Sequence, residues 1–146
     1  MGIELTRIHY ENLDARQKEN YNFQKISAVL ADFGFVSVRL SDDWQGADFI
    51  AQHIDGETFL KVQLKSRLAF NRKYKGKNLC VAFPHKGSWY LYRHDALLEI
   101  ALRNTQIGSS RSWKKNGSYH FPRLTKPLME KLILKKFRIA NLHDLR

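Results

Sequence analysis

The chain is poor in the residues that would tie it to a disulfide scaffold, a metal knuckle or a membrane. One cysteine in 146 residues, Cys80, excludes an internal disulfide and fits a reducing compartment, with the cytoplasm as the expected location. Cys80 lies in the apolar run Leu79-Cys80-Val81-Ala82-Phe83, which reads as a buried strand carrying a small hydrophobe, not a reactive thiol. A single cysteine cannot build a zinc finger. The six histidines, His9, His53, His85, His94, His120 and His143, show neither metal-ligand nor paired catalytic spacing. A Walker loop and a dinucleotide fingerprint are both missing. No apolar run approaches the ~20 residues needed to span a bilayer. The first ten residues carry an acid, Glu4, and no apolar stretch, unlike a secretory signal. The 3 prolines are scattered, and neither low-complexity tracts nor repeats divide the chain, so a single domain over residues 1–146 is expected.

What is present is a foldable composition, 43% hydrophobic and 12% aromatic, with a lopsided charge. Residues 1–62 carry 6 Lys/Arg against 10 Asp/Glu, a net of −4, whereas residues 63–146 carry 19 against 4, a net of +15. A second half so short of acids, in a chain of net charge +11 and pI near 9.9, points to a polyanionic partner, most often nucleic acid. A basic amphipathic helix of the kind that lies on membranes is not evident at either end.

Hydrophobic periodicity predicts a first helix from Asp14 to Phe33, with Phe23, Ile26, Leu30 and Phe33 on one face, Asn12 or Asp14 as cap and Gly34 as stop. Glu19 falls on that same face, one turn earlier, at the edge of the core. Phe35 to Leu40 reads as a strand, Ser41 to Gly46 as a polar connection, and Ser66 to Asn78 as a basic segment. Leu79–Phe83 and Trp89–Arg93 read as strands separated by Pro84 to Ser88. His94 to Asn104 reads as a short helix and Thr105 to Arg123 as a flexible loop. A last helix is expected from Thr125 to about Phe137, with Thr125 as cap and Pro127 in the first turn. The expected class is α/β, a mixed sheet flanked by helices.

The most informative stretch runs from Gly46-Ala47-Asp48-Phe49-Ile50-Ala51 through Asp55-Gly56 to Leu60-Lys61-Val62-Gln63-Leu64-Lys65. Asp-Gly between two alternating runs predicts a hairpin with a two-residue turn, both positions at φ > 0. Ile54 then pairs with Glu57, and counting back pairs Asp48 with Gln63. Directly opposed residues share a face, and Lys65, two residues on, shares it too. An acid, an amide oxygen and an ammonium thus converge at one end of a hairpin. Phosphodiester hydrolysis needs a positioned water and charge neutralisation on phosphate, and Mg²⁺ supplies much of both while keeping several waters and few carboxylate ligands. Asp48, the Gln63 side-chain oxygen and the Leu64 backbone carbonyl are the candidate ligands, with Mn²⁺ as a substitute metal. Lys65 is placed to orient or deprotonate a water, or to stabilise charge on the phosphate. Glu19 is placed to hold a metal-bound water.

These residues resemble the PD-(D/E)XK nuclease superfamily, which includes restriction endonucleases, Holliday-junction resolvases and some homing endonucleases. Its core is a helix carrying an acid followed by a three-stranded meander, with the aspartate on the second strand and (D/E)-x-K on the third. Glu19, Asp48 and Gln63-Leu64-Lys65 fall in that order, and the resemblance covers about residues 14–67. It implies a restriction-endonuclease-like fold, with Asp48, Gln63, Lys65 and Glu19 as catalytic residues and Mg²⁺ as cofactor. The pattern departs at Gln63, where an acid is usual, which removes one negative charge from the metal site.

The basic half offers a second set of candidates. Arg67, Arg111, Lys114 and Lys115 are suited to gripping phosphates, while Trp113 and Tyr119 either stack on bases or anchor the loop to the core. Lys131, Lys135, Lys136 and Arg138 form either a phosphate-contacting surface or the wet side of the last helix. The leading expectation is a Mg²⁺-dependent DNA endonuclease, a homodimer if both strands of a duplex are to be cut. Its rivals are a non-catalytic nucleic-acid-binding domain on the same fold and a module whose basic face holds an acidic protein.

Overall fold

The computed structural model describes residues 1–132. The first helix, α1, spans Ala15–Ala31. Asp14 starts it with a capping box, accepting from the Gln17 N–H while the Gln17 side chain accepts from the Asp14 N–H, an arrangement worth about 0.5–2 kcal/mol. The chain then runs through an antiparallel meander of β1 (Phe35–Trp44), β2 (Ala47–His53) and β3 (Phe59–Leu64). A crossover segment carries the short β4 (Ala69–Asn71) and a 3₁₀ turn at Arg72–Tyr74. The strand β5 (Leu79–His85) then lies parallel to β3, and β6 (Ser88–Arg93) closes the sheet antiparallel to β5. The sheet order is β1-β2-β3-β5-β6. The remaining elements are α2 (His94–Asn104), α3 (Arg111–Asn116), β7 (Ser118–His120), which pairs with β4, and α4 (Lys126–Lys131).

Alternation along the strands splits the core into two layers. On one face Phe49, Ala51, Leu60, Val62, Cys80 and Ala82 pack against Ile26 and Leu30 of α1. On the other face Val81, Phe83 and Tyr90 pack against Leu97, Leu98 and Ala101 of α2, Trp113 of α3, and Leu132. Cys80 is buried as expected, and burial pushes its thiol pKa up, opposed by the nearby Arg93 charge. Among the described residues no helix is long and apolar enough to cross a membrane.

The structure corrects several local expectations. The Asp55–Gly56 connection is a four-residue loop, Ile54 to Glu57, in which only Gly56 has a positive φ. Asp55 shapes it by accepting from the Glu57 N–H, the Thr58 N–H and the Thr58 hydroxyl. The register survives because His53 and Thr58 pair directly, so the ladder still runs Gln52–Phe59 to Phe49–Val62. Two-residue turns with both positions at positive φ occur at Gln45–Gly46 and Lys86–Gly87. Residues 41–44, expected as a loop, extend β1 after a register shift. The basic segment and the loop after α2 are structured, since β4 pairs with β7 and Ser110 caps α3 through the Trp113 N–H. The expected last helix begins at its Thr125 cap. Its continuation, with Lys135, Lys136 and Arg138, lies outside the described residues.

Candidate active site

The expected convergence starts from the β2–β3 register. The ladder ends at Phe49–Val62, short of the expected Asp48–Gln63 pair, and past it the Asp48 side chain joins the two strands. The Leu64 N–H donates to Asp48 Oδ2 at 2.6 Å. A strand residue's N–H and C=O point to the same side. The Leu64 carbonyl therefore faces the β2 side, where the Asp48 carboxylate sits. On the other edge of β3 the Lys65 N–H donates to the Ala82 carbonyl at 2.9 Å, which fixes the direction of the chain as it leaves the sheet.

Gln63 is 3% exposed, so this face of β3 is no solvated stripe. Its Nε2 donates to the Gly46 carbonyl at 3.3 Å, which holds the amide across the β1–β2 turn. That turn brings the Gly46 backbone so close to Tyr74 that a Cβ at Gly46 would lie 2.6 Å from the ring. Gly46, at φ +91°, is thus required both for the turn and for the approach of Tyr74.

Two hollows meet at Lys65. One, of about 210 Å³, is lined by Gln63, Lys65, Asn71, Lys73, Tyr74 and His120 among others. The Lys65 and Lys73 ammonium groups lie 6.0 and 4.9 Å from the Tyr74 ring centroid. The second, of about 330 Å³, brings together Glu19, Lys18, Asn22, Leu64, Lys65 and Ser66. Glu19 thus borders a hollow that Leu64 and Lys65 also line, and its carboxylate pairs with Arg39 at 2.7 Å. The strand pair β1–β2 supplies that arginine, a partner that sequence spacing does not reveal.

The wall over the first hollow is held from beneath by His94 and Asp95. Buried His94 accepts the Asn71 N–H at Nε2, 3.4 Å, and therefore carries its proton on Nδ1, which lies 2.8 Å from Asp95. Asp95 also accepts the Gly76 N–H at 2.8 Å. Desolvation works to raise the Asp95 pKa, but the His94 and Gly76 hydrogen bonds and the nearby Lys75 charge together lower it. Lys73, Tyr74 and His120 were not singled out as site residues from the sequence. Their pairing through β4 and β7 is a long-range contact with no local signal.

The nucleic-acid candidates divide. Arg67, Arg111, Lys114 and Lys115 are exposed. Trp113 is 8% exposed and belongs to the core, with the Arg72 guanidinium 5.1 Å from its ring centroid and an Arg72 hydrogen bond to its carbonyl. It anchors α3 and does not present its ring to a base. Tyr119 is half-buried and packs edge-on against Phe121 at 4.9 Å.

The described residues contain no group of three or more His, Cys, Asp or Glu side chains suited to a metal. The donor set around Asp48, one carboxylate beside the Gln63 amide and the Leu64 backbone, consists of hard oxygen donors of the kind Mg²⁺ accepts.

No family model matches the chain, and no curated protein does. Solved structures similar in shape include two nucleases. Hjc, a Holliday junction resolvase from Archaeoglobus fulgidus, is 16% identical with a TM-score of 0.43, over 53% of this chain and 74% of that one. A bacterial homing endonuclease is 14% identical with a TM-score of 0.46, over 77% of this chain and 78% of that one.

Proposed function

We propose that the chain is a metal-dependent endonuclease that hydrolyses phosphodiester bonds in DNA. The observation that carries this reading is the Asp48 carboxylate on the Leu64 backbone, with Gln63 and Lys65 on either side of it. The Asp48 carboxylate, the Leu64 carbonyl and the Gln63 side-chain oxygen would hold Mg²⁺. That ion supplies a polarised phosphate and a water of lowered pKa. Gln63 turns its amide nitrogen to Gly46, which leaves its oxygen on the other branch of the amide. Lys65 stands at the junction of both hollows, where its ammonium can donate to a phosphate oxygen and orient the attacking water. Glu19 borders the same hollow as Lys65 and would accept from a water there. A homodimer would bring two such sites to a duplex.

The test is cleavage of labelled DNA with Mg²⁺ or Mn²⁺. Parent protein should cut, and Asp48→Ala and Lys65→Ala should each lose at least about a hundredfold in rate, the usual cost of removing an acid–base or charge-stabilising group. Parent-like cutting by either variant removes that residue from the site.

A second reading is favoured by two specific contacts. The Gln63 amide and the Arg39-paired Glu19 leave the centre less negative than two free carboxylates would. A domain that binds DNA without cutting it would show salt-sensitive binding and no product with either metal.

A further inference from the structure

A third hollow, of about 430 Å³, lies past the end of β3 and shares Ser66 with the hollow that holds Glu19 and Lys65. Its charged side chains are Arg67, Lys86, Arg123 and Lys126, with no acid among the lining residues. All four cations are exposed, and none has an ion-pair partner among the described residues. His85 lines the same wall, and its Nε2 is buried without a protein hydrogen-bond partner.

Lys86 supplies an independent observation. It occupies the first position of the two-residue β5–β6 turn at φ 48°, with Gly87 at φ 74°. Such a turn favours Asn or Gly at that position, because a side chain with an ordinary Cβ is strained in the left-handed region. A lysine there is a local choice against stability, and residues held in such backbone regions cluster where a ligand is gripped. The turn aims a cation at a hollow whose other charged groups are all cations.

We infer that this hollow is a phosphate subsite that grips the DNA backbone beside the scissile linkage. Arg67, Lys86 and Arg123 donate to non-bridging oxygens. The strand passes from Lys65 over Ser66 into the subsite. The inference rests on the endonuclease reading for the identity of the strand, and on the cation cluster for the subsite itself.

The experiment is fluorescence anisotropy of a labelled mixed-sequence duplex, in EDTA to prevent cutting, over a series of salt concentrations. The proteins are parent, Lys86→Gly, the double variant Lys86→Gly/Arg123→Ala, and Asp48→Ala. Lys86→Gly should keep or raise the melting temperature while weakening DNA binding. Its plot of log affinity against log salt should flatten by about 0.9, the contribution of one phosphate contact, and the double variant by about twice that. Asp48→Ala should keep the parent's slope. A duplex set with one neutral methylphosphonate stepped along the strand should show a position where parent loses affinity and the double variant does not. Parent-like affinity and slope in the double variant overturn the subsite, as does the absence of any such position. If these results hold while Asp48→Ala cuts like parent, the subsite stands and the proposed catalytic centre falls.

Discussion

Gln63 is the residue on which the chemistry turns, because it is buried and its amide is already committed to the Gly46 carbonyl. Gln63→Glu would set a carboxylate against that carbonyl. A lost buried hydrogen bond with desolvation costs about 1–3 kcal/mol. In a chain of this size that lowers the melting temperature by roughly 2–4 °C for each kcal/mol. A second carboxylate beside Asp48 should bind the divalent cation more tightly, so Mg²⁺ should raise the variant's melting temperature more than the parent's. Thermal melts in EDTA and in Mg²⁺ check this, and an equal metal response in both proteins would place the metal elsewhere. Cys80 gives a second residue-scale expectation. Burial raises its thiol pKa, with Arg93 opposing, so its contribution to stability is present below the ordinary thiol range and lost as pH rises through the folded-state value. The folded protein should resist thiol reagents at mildly alkaline pH, and labelling should follow unfolding. The shared side of Gln63 and Lys65, which line one hollow, was legible in the sequence because strand periodicity is two. The hydrogen-bond partners of those residues were not, since Gly46 and Arg39 come from other elements.

Elements were legible where hydrophobic spacing was long and continuous. The helix α1 and the strands β2, β3, β5 and β6 follow from it, and α2 matches its expected bounds of His94 to Asn104. The misses share one physical cause, a local signal overruled by contacts distant in the chain. Asp55–Gly56 is a good two-residue turn by composition, yet the Asp55 carboxylate captures Glu57 and Thr58 and widens the loop. The helix α3 is six residues in a Gly/Ser-rich stretch and is fixed by burying Trp113. Two element-scale tests follow. Gly46→Ala would force a Cβ to within 2.6 Å of Tyr74 at φ +91° and disturb the carbonyl that holds Gln63. It should cost more than about 1 kcal/mol, read by denaturant unfolding, and an unchanged midpoint would contradict the turn geometry. Asp95→Asn should weaken the tether from α2 to the Lys73–Tyr74 wall. In the parent, desolvation raises the Asp95 pKa but the His94 and Gly76 bonds and the Lys75 charge prevail and lower it. The stability this gives is present above the unfolded-state pKa and lost as pH falls through the folded one. The variant should lose less stability on acidification than the parent does, as measured by melts across the acid range.

Across the whole molecule, the two halves of the charge distribution meet at one place. Asp48 and Glu19 come from the half of net −4, whereas Lys65, Lys73, Lys86 and Arg123 come from the half of net +15. The sheet makes the junction, because β2 and β3 belong to the first half up to residue 62 and the chain becomes basic as β3 ends. This division has a thermodynamic consequence for a phosphate ligand. On the proposed function the basic half attracts DNA, while the Asp48 carboxylate repels the phosphate brought beside it. A pair of like charges about 4 Å apart costs about 1 kcal/mol in bulk water and more where water is excluded. Removing the Asp48 charge should therefore raise affinity in EDTA by about fivefold or more, even as it abolishes cutting. Asp48→Asn is the suitable variant, since it is nearly isosteric and its amide oxygen can still accept the Leu64 N–H. Adding Ca²⁺, a hard cation, should tighten DNA binding by the parent and leave Asp48→Asn little changed. Anisotropy titrations of both proteins, each with EDTA and with Ca²⁺, read out the four affinities. Tighter binding by the parent than by Asp48→Asn in EDTA would mean that the phosphate does not approach Asp48, and would move the catalytic centre off this end of the hairpin.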